Sequence, residues 1–325
     1  MVPLVSFLIP AYNVEPWVAK TIESVLAQGW PKIEIIIVDD DSRDGTLTVA
    51  RRFESTRVKV VTQENQGAAA ARNRALSLAQ GDYIQWLDAD DLLAPDKIAR
   101  QLEPVENSEP MVLLSSSFGR FFLRPEKAVF SPTLLWRDLS PVNWITTKFA
   151  NNLWMNPAVW LVSRELTDAA GPWNEALSLD DDGEYFCRVV VASRVVRFVP
   201  AAKSYYRQWN LASLSRASSE KACRSLLNSL KLSTGYLLSL EDSPRTRAAA
   251  LSYLQVWTQY FYPERQALLK ELDALAAELG GRLGPPILSP HYEFIRRLFG
   301  WRVTRKAMSL QDIAELWIAT RFGRS

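Results

Sequence analysis

The 325-residue sequence predicts an α/β protein, with a mostly parallel central sheet flanked by helices and a helical C-terminal extension. Three observations carry that prediction. Short β-branched runs alternate with helix-period segments over the first hundred residues, as βαβ units require. Three of these runs end in polar or acidic residues, where open α/β sheets bind ligands. From residue 219 onward the apolar spacing is mostly helical.

Taken in order, residues 4–9 read as a buried strand ending at Pro10, and residues 17–28 as a helix with its stripe at Val18, Ile22, Val25 and Leu26. Residues 33–38 form a second strand that stops at Asp39-Asp40-Asp41. A helix over 46–53, a strand over 58–61 and an alanine-rich helix over 68–79 follow. The fourth strand, 83–87, runs into Asp88-Ala89-Asp90-Asp91, and Pro95 opens another helix in the favoured first turn. Past residue 110 the pattern loosens. Strands are expected at 111–114, 158–162 and 195–199, and a helix over 184–192. The stretch 136–160, rich in Trp and Asn, reads as a loop-rich wall around a site. Helices are expected over 219–240, 245–279 and 292–322, the last two separated by Gly280-Gly281 and Gly284-Pro285-Pro286.

Charge and cysteine content narrow the function classes. The net charge of +2 predicts no nucleic-acid partner. It is unevenly spread: residues 1–219 carry 23 basic and 26 acidic side chains, and residues 220–325 carry 15 and 10. Cys187 and Cys223 lie too far apart for a short metal-binding pair and point to a reducing compartment. The first residues lack the basic flank and apolar stretch of a signal peptide, and no window reaches the ~18 apolar residues of a membrane span. A cytoplasmic protein is expected. A single histidine, His291, removes any His-based triad and argues against a serine or cysteine hydrolase.

The acidic clusters carry the chemistry. In an extended chain residues i and i+2 share a face, so Asp88 and Asp90 are expected to aim two carboxylates at one point beyond the sheet. Paired carboxylate oxygens suit Mg²⁺ or Mn²⁺ shared with a substrate phosphate, although an acidic turn ahead of a helix accounts for the same triplet. Asp39-Asp40-Asp41 is either a capping turn or an acceptor for a donor such as a nucleobase edge. Arg72 is the better of two arginines for reaching a phosphate near the sheet edge. Asp180-Asp181-Asp182-Gly183-Glu184 opens a short helix, where one acid caps. Crowding raises the pKa of another, as a general base needs.

In sequence order these segments resemble family 2 glycosyltransferases of the GT-A nucleotide-diphospho-sugar fold. The resemblance rests on residues 5–13, on Val38-Asp39-Asp40-Asp41-Ser42 through Thr46, and on Asn65-Gln66-Gly67 through Asn73. It continues through Gly81-Asp82-Tyr83-Ile84, Leu87-Asp88-Ala89-Asp90-Asp91, Gly171-Pro172-Trp173-Asn174-Glu175, residues 181–188 and Tyr206-Arg207-Gln208-Trp209 with Ser213 and Ser215. It covers roughly residues 3–216 and implies a catalytic domain over 1–218, with a nucleotide-sugar half (1–105) and an acceptor half (106–218), followed by a helical region over 219–325.

The resemblance also implies roles. Pro10, Ala11 and Tyr12 would frame a uracil whose imide meets Asp39, and Arg72, Asp88 and Ala89 would lie along the nucleotide-sugar. Asp90, with Asp88, would bind Mn²⁺ or Mg²⁺, and Arg207 would close the site over the phosphates. Asp182 would be the general base, with Asp181 as the competing choice, because Asp181 stands where the family usually has Glu. Position 41 is likewise Asp where Gly is usual. Trp173, Asp181 and Glu184 would bind the acceptor, and Trp154 and Trp160 lie in the same half.

The implied activity is inverting transfer from a nucleotide-diphospho-sugar, UDP-linked, to a glycan or lipid-linked acceptor of the cell surface. A catalytically silent nucleotide- or glycan-binding partner subunit is the alternative, and the intact acidic motifs count against it. In the tail, Phe294-Ile295-Arg296-Arg297-Leu298-Phe299 interleaves basic and apolar residues. Peripheral contact with the inner face of the cell membrane, a homodimer interface, or packing on the catalytic domain each account for it.

Overall fold

The computed structural model describes residues 2–103, 110–208 and 219–322. β1 (Val5–Ala11), β2 (Ile33–Asp39), β3 (Val58–Thr62) and β4 (Tyr83–Trp86) pair in parallel in the order β3-β2-β1-β4. α1 (Glu15–Leu26), α2 (Thr46–Arg51) and α3 (Ala68–Leu78) connect them, as the alternating periods predict. Because side chains alternate across a strand, each strand serves both faces. Phe7, Ile9, Ile35 and Ile37 pack with Val18, Ile22 and Val25 of α1, whereas Leu8, Ile36 and Val38 pack with Ala71 and Ala75 of α3.

A second, mixed sheet follows, which the sequence pattern did not separate from the first. It joins β5 (Leu92–Leu93), β6 (Val112–Phe121), β7 (Val129–Phe130) and β9 (Val195–Arg207) in the order β5-β9-β6-β7. β6 and β9 run well past the short strands expected there and pair in parallel, with an irregularity between Ser116 and Ser117. The predicted strand at 158–162 is a 3-10 turn over Pro157–Val159, then the two-residue β8 (Val162–Ser163), antiparallel to β4.

Three other expectations need correction. Pro95 precedes α4 (Lys97–Leu102) instead of opening its first turn, with Asp96 at the cap. The stretch 136–160 contains a true helix, α5 (Pro141–Ala150), whose buried Trp144, Ile145 and Phe149 fall at helical spacing. The expected helix over 245–279 is two helices, α9 (Pro244–Trp257) and α10 (Gln266–Glu278). Pro263 lies between them, and its missing N–H and ring cannot be accommodated in a continuous helix.

α6 (Arg164–Ala170) and α7 (Asp181–Ala192) follow β8, and α8 (Glu220–Leu240) begins the C-terminal helices. The expected domain boundary near 218, the boundary of the two halves at 105/106, and Trp209, Ser213 and Ser215 lie outside the described residues. The C-terminal helices do not stand apart: Leu226 and Leu230 of α8, Tyr253 of α9 and Leu272 of α10 belong to the same core as Trp86, Trp160 and Val190. α11 (Pro290–Phe322) follows, bent at Gly300, which adopts φ +74°. No helix among the described residues is long and apolar enough to cross a membrane.

Candidate active site at the carboxyl ends of the strands

The first strand ends brace one another. Beyond β1, the Asn13 N–H donates to Ser42 Oγ (3.0 Å) and the Arg43 N–H to Asn13 Oδ1 (2.8 Å). Asn13 reaches this position with φ +52°. The three adjacent acids at the end of β2 divide their work. Asp40 is structural: it accepts from Gln63 Nε2 (2.8 Å), the Gln66 N–H (3.0 Å) and the Gly67 N–H (2.8 Å). Gly67, at φ +93°, gives the chain the turn that opens α3. Asp41 is exposed at φ +64°. Asp39 is buried; its Oδ2 accepts from the Ser42 N–H (3.2 Å), and its Oδ1 has no partner among the described residues. Beside it, Ala11 is buried, Pro10 half-buried and Tyr12 exposed. A buried acceptor without a partner costs roughly 1–3 kcal/mol, which a ligand N–H would recover.

Asp88-Ala89-Asp90 departs from the extended geometry expected of it. The Asp91 N–H donates to the Asp88 carbonyl (3.1 Å), so the triplet is a turn. Ala89 is buried in it, and its carbonyl accepts from Thr21 Oγ1 (2.9 Å). Asp88 and Asp90 nonetheless remain close: burial, then the charge of Asp88, pushes the Asp90 carboxyl up to about 6. Asp91, which the motifs leave without a role, is fully buried and accepts from the Arg207 N–H (2.9 Å).

Arg207 itself differs from expectation. It is buried over Trp17 (4.2 Å) and Phe121 (4.5 Å), and its Nε donates to the Asp90 carbonyl (2.8 Å). It clamps the acidic turn from behind instead of presenting a free cation to phosphates, although its Nη2 has no partner among the described residues.

α3 and α7 complete the centre. Arg72 of α3 is 6 % exposed and forks between Asp88 Oδ1 and Asp181 Oδ2, both at 2.9 Å. Burial alone would lower its pKa; Asp181 and Asp88 outweigh that and raise it. Asp181 is therefore occupied. Asp182, half-buried at the first turn of α7, has no ion pair among the described residues; its Oδ1 accepts only the adjacent Gly183 N–H (2.9 Å). Burial raises the Asp182 carboxyl and takes that of Asp181 to about 7, with Arg72 opposing both shifts.

Two residues expected to bind the acceptor are buried. Trp173 is 2 % exposed, stacked on Tyr185 (4.0 Å between centroids, 8°) with the Arg72 guanidinium over its ring (4.3 Å). Both faces are taken in this arrangement, and the ring supports Arg72. Glu184 is buried, paired with Arg188 (2.6 and 3.0 Å) and accepting from Tyr236 Oη (2.8 Å) of α8. Trp160 is also fully buried.

The C-terminal helices hold the acidic loop. Ser225 Oγ accepts from the Ser178 N–H (2.7 Å) and the Leu179 N–H (3.1 Å), and Ser229 Oγ donates to Asp180 Oδ2 (2.6 Å). Asp180 takes φ +62° to cap α7, and a Cβ at Gly183 would collide with its carboxylate. The only advance signal was the i, i+4 spacing of Ser225 and Ser229 on one face of α8. Ser229→Ala is expected to cost about 1 kcal/mol by removing the shorter of two side-chain donors from the half-buried Asp180 carboxylate, read as a lower urea midpoint with an unchanged slope.

Comparison with known proteins places this geometry. The Glycosyl transferase family 2 profile matches residues 6–144. Those residues form a family 2 glycosyl transferase domain. Within the family, the putative teichuronic acid biosynthesis glycosyltransferase TuaG of Bacillus subtilis (strain 168) is 48 % identical over 104 residues, 31 % of this chain and 41 % of TuaG. The Escherichia coli UDP-Glc:alpha-D-GlcNAc-diphosphoundecaprenol beta-1,3-glucosyltransferase WfgD is 41 % identical over 143 residues, 40 % of this chain and 55 % of WfgD. The chain thus spans about half the length of these curated relatives.

Among solved structures, S. aureus TarS 1-349 in complex with UDP-GlcNAc superposes with a TM-score of 0.66 at 16 % identity, covering 99 % of this chain and 92 % of that one. The mannosyltransferase PcManGT from Pyrobaculum calidifontis, in complex with GDP-Man and Mn2+, gives 0.58 at 20 % identity, covering 100 % and 89 %. The fold around the family 2 domain is GT-A.

Proposed function

We propose that the chain transfers a sugar, with inversion, from a UDP-sugar to a hydroxyl of a glycan or lipid-linked acceptor. One observation carries this reading. Five carboxyl groups (Asp88, Asp90, Asp91, Asp181, Asp182) meet only two guanidiniums (Arg72, Arg207), and Asp182 is left without an ion pair among the described residues. An excess of buried negative charge is costly unless a cation offsets it. The residues present fit a divalent ion: Asp90, with its raised carboxyl beside Asp88, would hold Mn²⁺ or Mg²⁺. When bound, that ion supplies charge neutralisation to the leaving diphosphate.

The chain's own residues account for the rest. The Asp39 Oδ1 acceptor suits the imide N–H of uracil, with Tyr12 beside it. Arg72 fixes Asp88 and Asp181, so the donor side and the base side keep a constant separation. Asp182 takes the proton of the attacking hydroxyl, which is un-ionised at neutral pH. One base acting opposite the leaving group gives inversion at the anomeric carbon. The UDP-GlcNAc bound to TarS and the UDP-Glc named for WfgD support a UDP-linked donor. A silent partner subunit would bind the nucleotide and release none.

The test is thermal unfolding with a panel of UDP- and GDP-sugars, with Mn²⁺ and with EDTA. The true donor is expected to raise Tm only with metal, and Asp90→Ala to abolish that rise. No metal-dependent shift with any nucleotide-sugar would sink the reading, and a shift without any nucleotide release on adding metal favours the silent subunit. On α11, exposed Phe294, Leu298 and Phe299 beside Arg297 support peripheral contact with an anionic membrane. Vesicle flotation tests this, and sedimentation separates it from a homodimer through the same face.

A further inference from the structure

Of the acceptor half's candidate tryptophans, only Trp154 is exposed. It is 37 % exposed, and its ring sits against Phe118 and Tyr206, each with centroids 5.1 Å away. The Arg120 guanidinium lies 5.1 Å from its centroid. Phe118 and Arg120 are i and i+2 on β6 and so share one face. Phe118, Arg120 and Trp154, with Val129 and Thr133, line a cavity of about 170 Å³. Asn152, in a turn at φ +48°, is also part of the lining. A cavity of about 150 Å³ accepts one benzene, so this one matches a single six-membered ring and is too small for a nucleotide.

Three features make this a site instead of a crevice. It adjoins the reaction centre: Tyr206 precedes Arg207, the clamp on the acidic turn, and its hydroxyl is raised by burial and by the charges of Asp91, Asp90, Asp88 and Asp182. Its wall offers an aromatic face, which the apolar C–H face of a sugar ring stacks on. Its one charge is positive: no carboxylate lines it, and Arg120 has no ion-pair partner among the described residues. An unpaired guanidinium beside an aromatic platform suits an acidic group on the ring it holds, because the planar fork binds phosphate or carboxylate bidentately.

We propose that this groove is the acceptor subsite, holding one sugar ring against Trp154 and that ring's anionic substituent on Arg120. The assignment of the ring as acceptor rests on the glycosyltransferase reading. The binding chemistry does not, and the two fail separately.

The experiment titrates the full chain with glucose, glucose 1-phosphate and glucuronate by saturation-transfer NMR, with Mg²⁺, in the absence and in the presence of saturating UDP. Either anionic sugar is expected to bind at least ten-fold more tightly than glucose, and the tighter of the two identifies phosphate or carboxylate as the group recognised. Arg120→Gln is expected to remove that preference. Trp154→Ala is expected to weaken all three sugars by ten-fold or more. Both side chains are at the surface, and both variants are expected to keep the wild-type Tm and UDP affinity. Equal binding of the three sugars, wild-type behaviour of either variant, or displacement of the anionic sugar by UDP overturns the assignment. If UDP itself fails to bind with metal, the glycosyltransferase reading falls, and the sugar titrations still decide the groove.

Discussion

Asp182→Asn is expected to lower sugar transfer by about 10²–10⁴-fold, the range a positioned general base contributes, while UDP affinity and Tm stay close to wild type. Asparagine keeps an oxygen for the Gly183 N–H, 2.9 Å away, and so preserves the start of α7. What it loses is the capacity to take a proton. The neighbouring acid cannot substitute, because Asp181 is held by Arg72 at 2.9 Å. Transfer by Asp182→Asn within a few-fold of wild type would falsify the assignment. Because burial raises the Asp182 carboxyl, the acid limb of the wild-type kcat profile is expected above the ordinary carboxylate range. Activity falls as pH drops through that limb, since only the ionised form accepts the proton.

Replacing Arg72 by methionine is expected to have the largest effect on stability, about 3–5 kcal/mol, because it strands the carboxylates of Asp88 and Asp181 at once. Urea unfolding at pH 8 reads it directly. The loss should shrink on acidification. Asp181 is raised by burial to about 7, above its unfolded value of 3.8, so the native state binds more protons than the unfolded chain between those limits. Stability therefore declines as pH rises through that window, and more steeply once Arg72 no longer opposes the shift. A penalty equal at pH 5 and pH 8 would show that lost packing on Trp173, not charge, dominates. Arg72→Lys is not expected to restore the wild type, since one ammonium cannot reproduce a fork to two carboxylates.

The donor half was highly legible because its signals are local. A buried parallel strand is a β-branched run, and its end is marked where the polar residues begin, as at Asp39 and Asp88. The second sheet was poorly legible. β9 carries Lys203 and two tyrosines, and its length is set by pairing with β6, eighty residues away. α5 was hidden because Trp and Asn dominate its neighbourhood, although Pro141 at its first turn was a usable signal. The break at Pro263 was also visible in the sequence and was missed because the flanking helical spacing continues across it.

The sequence by itself determined which acids gather at the sheet edge, since strand order and strand length bring Asp39, Asp88 and Asp90 there whatever surrounds them. Only the tertiary structure decided what each one does. Asp40 became a loop anchor and Asp39 an open acceptor; Asp181 was taken by Arg72 while Asp182 kept no ion pair among the described residues. Trp173 and Glu184 were drawn into the core by Tyr185, Arg188 and Tyr236. A carboxylate's role depends on which donors lie within about 3 Å of it, and those donors come from helices distant in sequence. Local spacing carries the identity of the acids, but not their partners.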